Sequence, residues 1–409
     1  MTTQSIERTE MRAAGELATL TVVSSAHLIS HLHIMVLPVL LHLLKDRVHV
    51  GYFELGLAVT AFNVVSGLTQ APMGFLVDRI GARTVLIAGL LLGGTALASL
   101  SVLDAYAWLI AAAVLAGLAN CVYHPADYAI LNDTISEGRI GRAFSVHTFA
   151  GFAGGAIAPP LLLGVAAWAG VGSSFIAAGA CAWAAAALVC LVPASPSVRP
   201  APTAATPATV GLRDVLTPTV LGLSLFFTLL ALSGSAMSTF AIAALIAGHG
   251  LSSAAATAAL TAYLAASAVG VLAGGRLADR TSRHGDVAAA GFGLSALLAL
   301  AIAAAPLPVP ALVVAMGLTG FLFGIVQPAR DMLVRKAAPP GAAGRVFGIV
   351  STGFNIGGIV GPALFGFLMD QGAPRWIFGT AVLFMSTTAV LGLIEERRPR
   401  LRACGAHGA

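Results

Sequence analysis

Charged side chains are scarce in this sequence. They make up 10% of 409 residues, against 58% hydrophobic, and the mean hydropathy is +0.91. A soluble domain carries roughly 25% charged residues, so a water-soluble surface is excluded. Cysteine is scarce too: Cys121, Cys181, Cys190 and Cys404. Three lie in or near apolar runs and one near the end of the chain, so no disulfide framework is expected. No P-loop signature is present, so ATP is not the expected energy source. The apolar runs are long and lack the ten-residue alternation of a membrane barrel. No run sets a nucleophile, a base and an orienting group at workable separations. No catalytic residue, cofactor or resident metal is therefore expected, and the protein is not read as an enzyme. The net charge of +5 reflects where the basic residues fall, not a nucleic-acid-binding patch, and no nucleic-acid partner is expected.

What the sequence has instead is long apolar runs. A membrane-spanning helix needs about 20 such residues. Twelve spans are expected, at 18–42, 51–76, 84–102, 107–131, 142–167, 171–192, 218–246, 253–277, 287–305, 309–333, 346–369 and 374–394. The first is too long for a cleaved signal and carries His27, His31, His33 and Pro38. With both termini cytoplasmic, inside segments hold nineteen of the 22 Lys and Arg, leaving only Lys45, Arg47 and Arg375 outside. That bias orients the chain and implies an inner or plasma membrane location. The stretch from Pro193 to Gly211, rich in Pro, Ala and Thr, reads as a flexible linker. It divides the chain into a bundle at 1–192, a cytoplasmic linker at 193–213 and a bundle at 214–409. The basic run from Arg397 to Arg402 is placed to meet anionic lipid headgroups. The 46 glycines suit close helix packing in lipid.

The two halves repeat. His124-Pro125-Ala-Asp127 returns as Gln327-Pro328-Ala-Arg330, Arg142-Ala-Phe as Arg345-Val-Phe, and Gly154-Gly155 with Pro159 as Gly357-Gly358 with Pro362. All three share one offset of 203 residues, as from His124 to Gln327. Gly74-Phe-Leu-Val-Asp78-Arg79-Ile-Gly81-Ala-Arg83 also returns, as Gly275-Arg-Leu-Ala-Asp279-Arg280-Thr-Ser282-Arg283. In this loop Gly74 and Gly81 permit close approach and a tight turn. Asp78 at a helix end is placed to accept hydrogen bonds from the N-terminal amides of a neighbouring helix. Arg79 and Arg83 are placed to bind a carboxylate across the halves or a lipid phosphate. Such contacts form in one conformation and break in the other, so Asp279, Arg280 and Arg283 are also read as gating residues. Ser282 stands where the first copy has Gly81, which predicts a less tight second turn. This loop, with twelve spans in two halves, resembles the major facilitator superfamily over nearly the whole chain. The resemblance implies an all-α polytopic membrane protein, two pseudo-symmetric six-helix bundles that rock around a central site.

Ionisable residues inside spans are expensive and mark function. His27 and His31 share a helix face, while His33 lies about 200° around from His31. In the fourth span Pro125 frees a carbonyl and distorts the helix. His124 and Asp127, three apart, are read as a proton relay. The tenth span offers Gln327, Arg330 and Asp331, so Asp127 and Arg330 are expected at matched depths, as an ion pair or with Arg330 clamping an anion. His147 and Asn355 complete the candidates for substrate or proton handling. Tyr123, Tyr128, Phe149 and Phe152 are read as an amphipathic cavity wall. Gly151, Gly154, Gly155 and Pro159, with Gly357, Gly358, Gly361 and Pro362, are read as helix-packing positions. The fifth-span run resembles the antiporter signature of the superfamily, although Ala158 precedes Pro159 where that pattern favours glycine. Ser25-Ala-His27 with His31, Tyr123-His124-Pro125 and Gly138-Arg139 are similar to the fosmidomycin-resistance branch, which implies export of a drug or metabolite. Here Ala126 separates Pro125 from Asp127, displacing the carboxylate by one position.

The leading expectation is a proton-coupled secondary transporter that exports a small organic compound and functions as a monomer. The alternative is proton-coupled import of a small organic anion. A metal-ion carrier is less favoured. His27, His31, His124, His147, Cys121 and Asp127 are legitimate ligands, but no repeated Met or Cys motif accompanies them and the linker has no histidine. A membrane enzyme or a non-transporting receptor ranks lower still.

Overall fold

The computed structural model describes residues 3–192, 216–338 and 343–406, with side chains for 14–192, 216–338 and 346–397. The linker expected at 193–213 and the side chains of Arg345 and of the basic run beyond Arg397 lie outside the described residues. Among those residues the regular structure is helical throughout. The long helices are α1 (Thr3–Val48), α2 (Tyr52–Ile80), α3 (Ala82–Ala98), α4 (Tyr106–Asn120), α5 (Tyr123–Thr134), α6 (Glu137–Ala169) and α7 (Val171–Leu191). After the linker come α8 (Pro218–Ser238), α9 (Ala241–His249), α10 (Ser253–Arg280), α11 (His284–Ala304), α12 (Val309–Ala337), α13 (Ala343–Asp370) and α14 (Arg375–Ala406). They supply 12 stretches long and apolar enough to cross a membrane. Each overlaps one span expected from the sequence.

Helix ends follow local chemistry. Thr217 caps α8 by accepting from the Val220 amide at 3.3 Å, with Pro218 at the first helical position, where its missing N–H is harmless. Ser252 caps α10 by accepting from the Ala255 amide at 3.2 Å. Gly250 ends α9 in the left-handed conformation. Two spans are broken where the sequence predicted continuity. The fourth splits at Cys121–Val122, and Pro125 then sits in the first turn of α5. The seventh steps at Thr239–Phe240. The tenth, by contrast, runs unbroken through Pro328.

The chain divides into two compact units. One comprises Met1–Leu40 with Ala61–Ala205, the other Leu41–Thr60 with Thr206–Ala409. In the first, Val85, Leu86 and Leu90 of α3 pack with Ala182, Ala185, Ala186 and Val189 of α7 and with Val22, Ala26 and Ile29 of α1. Polar groups line the interior, among them His147, Ser174 and Asp127, while Trp168, Val102 and Phe75 are exposed. That inverted pattern fits an outer surface solvated by lipid, not water. In the second unit the Asp370 carboxylate accepts from the Tyr52 and Phe53 amides at 2.9 and 2.7 Å, satisfying the N-terminus of α2.

Small residues set how closely helices approach. A Cβ at Gly154 of α6 would lie 2.0 Å from the Leu28 carbonyl oxygen of α1. One at Gly357 of α13 would lie 2.5 Å from that of Thr228 of α8. The repeat seen in sequence is thus a repeat of packing. A second seam was legible in the spacing but not read from it. A Cβ at Gly270 or Gly274 of α10 would run into a backbone oxygen of α12, and one at Gly320 or Gly324 of α12 into a backbone oxygen of α10. This is paired small-xxx-small packing.

Neighbouring glycines in α6 should therefore respond oppositely. Gly154→Ala drives a methyl into a backbone carbonyl and should destabilise the protein by about 3 kcal/mol or more. At Gly155 a Cβ meets nothing within 4 Å, so Gly155→Ala should be neutral or stabilising by up to about 1 kcal/mol. Thermal melting of both detergent-solubilised variants checks this; equal midpoints would refute the packing.

Candidate functional site

The first unit holds a buried cluster of ionisable side chains. Asp127 is 0% exposed, His147 0% and His27 4%. They come from three helices, α5, α6 and α1. The break before α5 turns its first residues so that Tyr123 and Ala126 enter the hydrophobic core. Asp127 instead meets the histidines of α1 and α6. On α6, His147, Gly151, Gly154 and Ala158 are all buried, at spacings of four, three and four, one helix face. The glycines let α6 close on α1, and the His147 ring then stacks on the His27 ring with centroids 3.9 Å apart and planes 23° apart.

Asp127 Oδ2 lies 3.5 Å from His27 Nδ1 and 3.7 Å from His147 Nε2. Both exceed hydrogen-bond length. Among the described residues neither Asp127 oxygen has a hydrogen-bond partner, nor has His27 Nδ1 or either His147 nitrogen. The rings of His31 and His124 stand 4.7 and 5.2 Å from that of His27. Gly151, expected to serve helix packing, also clears this cluster: a Cβ there would lie 2.8 Å from His27 Nε2 and 2.9 Å from His31 Nε2. Tyr128 closes the group, its ring 5.6 Å from His124 and 5.8 Å from His147.

Several expectations need correction. His33 does not join the cluster; its Nε2 lies 3.0 Å from the Ala178 carbonyl of α7, so it bridges two helices. The turn of about 200° from His31 explains this. The charge partners of Asp127 are His27 and His147 from other helices, not His124 on its own helix. Tyr123, expected in a cavity wall, is buried in the hydrophobic core. Asn355 is exposed.

At the position repeating Asp127, Arg330 meets Asp331 at 3.2 Å and lies over the rings of Phe227 at 4.8 Å and Phe354 at 5.8 Å. Its Nη1 is buried with no hydrogen-bond partner among the described residues. Phe227 follows His27 by 200 residues, the offset that separates Leu28 from Thr228, and Phe354 follows Gly151 by 203. One bundle therefore surrounds a carboxylate with imidazoles, and the other faces a guanidinium with aromatic rings, a cation–π arrangement. The same alignment of repeats identifies Phe227 and Phe354 from sequence. Gln327 donates to the Phe323 carbonyl of its own helix at 3.1 Å.

The loop motif is also redistributed. Gly81 turns at φ 92° and starts α3, as a tight turn requires. The second copy passes through extended Thr281, with no left-handed residue. Asp78, Arg79, Asp279 and Arg280 are exposed, and Gly74 and Gly275 have open space where a Cβ would stand. Arg283 pairs with Asp286. Arg83 was expected to reach a carboxylate or a lipid phosphate. Instead it donates to the carbonyls of Val189, Cys190 and Val192 at the end of α7, where a helix leaves its last carbonyls without intrahelical donors. Of the remaining packing positions, Gly361 meets Ser235, Pro159 and Pro362 are buried, and Gly155 meets nothing. Gly358 is half-buried.

A lipid-facing bundle repeated within one chain, with ionisable groups held in its interior, defines a polytopic membrane transporter. The chain belongs to the Major Facilitator Superfamily, whose model matches residues 23–246 and 223–408. It is 28% identical over 370 residues to the multidrug resistance protein MdtH of Aeromonas hydrophila subsp. hydrophila, covering 85% of this chain and 89% of that one. Its fold is similar to that of a bacterial homolog of the human lysosomal transporter Spinster, solved inward-facing. The unoccupied form gives a TM-score of 0.78 at 16% identity, covering 94% of this chain and 97% of the other. The occupied form gives 0.75 at 15%, covering 92% and 96%. The protein is a multi-pass secondary active transporter working by alternating access, not an enzyme.

Two substitutions separate the roles of these parts. Arg83→Ala should lower stability by about 1–3 kcal/mol, because charged hydrogen bonds to the end of α7 are lost; an unchanged melting midpoint would return Arg83 to a pure gating role. Gly151→Ala should shift the imidazole ¹⁵N resonances of His27 and His31, and unaltered resonances would show that Gly151 does not shape the cluster.

Proposed function

We propose that the protein is a proton-coupled antiporter that exports a small organic compound, with Asp127 and the surrounding histidines as its coupling centre. One observation carries this reading: a fully buried carboxylate with no hydrogen-bond partner among the described residues, facing His27 and His147, with His31 and His124 beside the His27 ring. Imidazole takes up and gives back a single proton, which makes it a common proton carrier. An ionised carboxylate in a membrane interior is costly and draws a proton or a cation. His27, His31, His124 and His147 are on hand to exchange it. The name of the Aeromonas relative and the resemblance to the fosmidomycin-resistance branch both support export. The basic-residue bias supports cytoplasmic termini in an inner or plasma membrane, and the linker divides the chain at 193–213. The working unit is the monomer. Exposed Asp78 and Arg79 remain the residues proposed to bias the two access states.

Import of an organic anion is favoured by one observation, the unpartnered buried Nη1 of Arg330. The direction of flux separates the two readings. A thermal-shift screen on purified protein first identifies a ligand, because binding to the folded state raises apparent stability. Flux of that ligand is then followed in proteoliposomes with an imposed pH gradient. Movement opposite to the proton gradient, collapsed by a protonophore, is expected; movement with the protons would support import.

Asp127→Asn should leave a folded protein whose gradient-driven accumulation falls roughly 5- to 150-fold, the span of coupling energies of about 1–3 kcal/mol. Residual flux should no longer follow the pH gradient. Wild-type pH dependence in the folded variant would remove Asp127 from the coupling centre.

A further inference from the structure

The geometry points to a binding site for one divalent cation of borderline softness, of the Zn²⁺ and Co²⁺ class, held by His27 Nδ1, Asp127 Oδ2 and His147 Nε2. We propose this site on spacing and donor chemistry. The three ligand atoms lie within 4.8 Å of one another. The two separations involving the carboxylate oxygen are 3.5 and 3.7 Å. Hydrogen-bonded atoms stand at roughly 2.7–3.2 Å, so these groups are too far apart to satisfy one another. Two ligands of a tetrahedral ion with bonds of about 2.0–2.1 Å stand about 3.4 Å apart. Those two separations are close to that of a shared metal, and binding would draw together the His27 and His147 nitrogens, which lie within 4.8 Å of each other.

Three further features agree. Two imidazoles and one carboxylate make a donor set that suits Zn²⁺ and Co²⁺. All three side chains are buried, and these ligand atoms accept or donate no hydrogen bond among the described residues. Each comes from a different helix; the His27 and His147 rings lie stacked with planes 23° apart, so a shared ion requires one imidazole to turn until both nitrogens face it. Three protein ligands leave one coordination position, and Gly151 keeps the adjoining space beside His27 and His31 clear of a side chain. A dication also offsets the buried negative charge that an apolar bundle disfavours.

The site shares residues with the proposed coupling centre but does not rest on it. Metal binding is read on the resting protein without flux, so either reading can fail alone.

The test is titration of full-length, EDTA-treated protein carrying no histidine tag with CoCl₂, followed by visible absorption. The expected result is a saturable d–d band of four-coordinate Co²⁺, one ion per chain, displaced by ZnCl₂. His407→Ala should retain the band, since that residue is in the tail. Asp127→Asn and His147→Gln should weaken binding at least about 100-fold, more than loss of an outer-sphere partner would. No band from folded wild-type protein, or a band unchanged in folded Asp127→Asn, would overturn the site. Should either variant fail to fold, X-ray absorption of the wild-type Zn²⁺ complex decides. A shell of two imidazoles with oxygen at about 2.0–2.1 Å supports the site, and a sulfur-containing or all-oxygen shell overturns it.

Discussion

A carboxylate buried in an apolar helix bundle sets the terms for the rest of this molecule. A carboxylate inside a membrane-spanning bundle is costly, and Asp127 has no hydrogen-bond partner among the described residues to offset that. What surrounds it is a shell of imidazoles at a little more than hydrogen-bond distance. Such a shell is poised, not satisfied: a proton or a cation entering it changes the balance of charge, and burial magnifies the effect. The surrounding architecture serves to hold that arrangement. The break before α5 directs Asp127 away from the core that Tyr123 and Ala126 enter, and the glycines of α6 bring His147 onto His27.

The second bundle shows what duplication preserved and what it changed. Close packing was kept, with Gly154 against Leu28 in one unit and Gly357 against Thr228 in the other. The ionisable position was kept as a position but reversed in sign, from Asp127 to Arg330. Its neighbours changed in step, from imidazoles to the phenyl faces of Phe227 and Phe354. A guanidinium is well accommodated against aromatic faces, whereas a carboxylate needs donors or cations. The two halves thus carry complementary chemistry on one scaffold, which suits a carrier handling both a proton and an organic solute.

The twelve spans and the duplicated halves were legible in the sequence because hydropathy and repetition are written directly in residue order. His27, His31, His124, Asp127 and His147 were legible as unusual residues in apolar runs, but their arrangement was not. Sequence spacing favoured His124 as the partner of Asp127, three residues away on one helix. The structure pairs Asp127 across helices, because the break at Cys121–Val122 and the α1–α6 approach decide which faces meet. His33, already about 200° around the helix from His31 in the sequence, lies against the Ala178 carbonyl instead of the cluster. Arg83 was misassigned for a related reason. A motif names residue types, while the nearest unsatisfied acceptors, here the carbonyls ending α7, depend on tertiary placement.

The central claim is that the Asp127 cluster exchanges a proton when substrate binds. Calorimetry of ligand binding in two buffers of different ionisation enthalpy tests it most directly. The account predicts a binding enthalpy that changes with the buffer in the wild-type protein, reporting proton release or uptake, and one that does not change in folded Asp127→Asn. An enthalpy independent of buffer in the wild-type protein would contradict it.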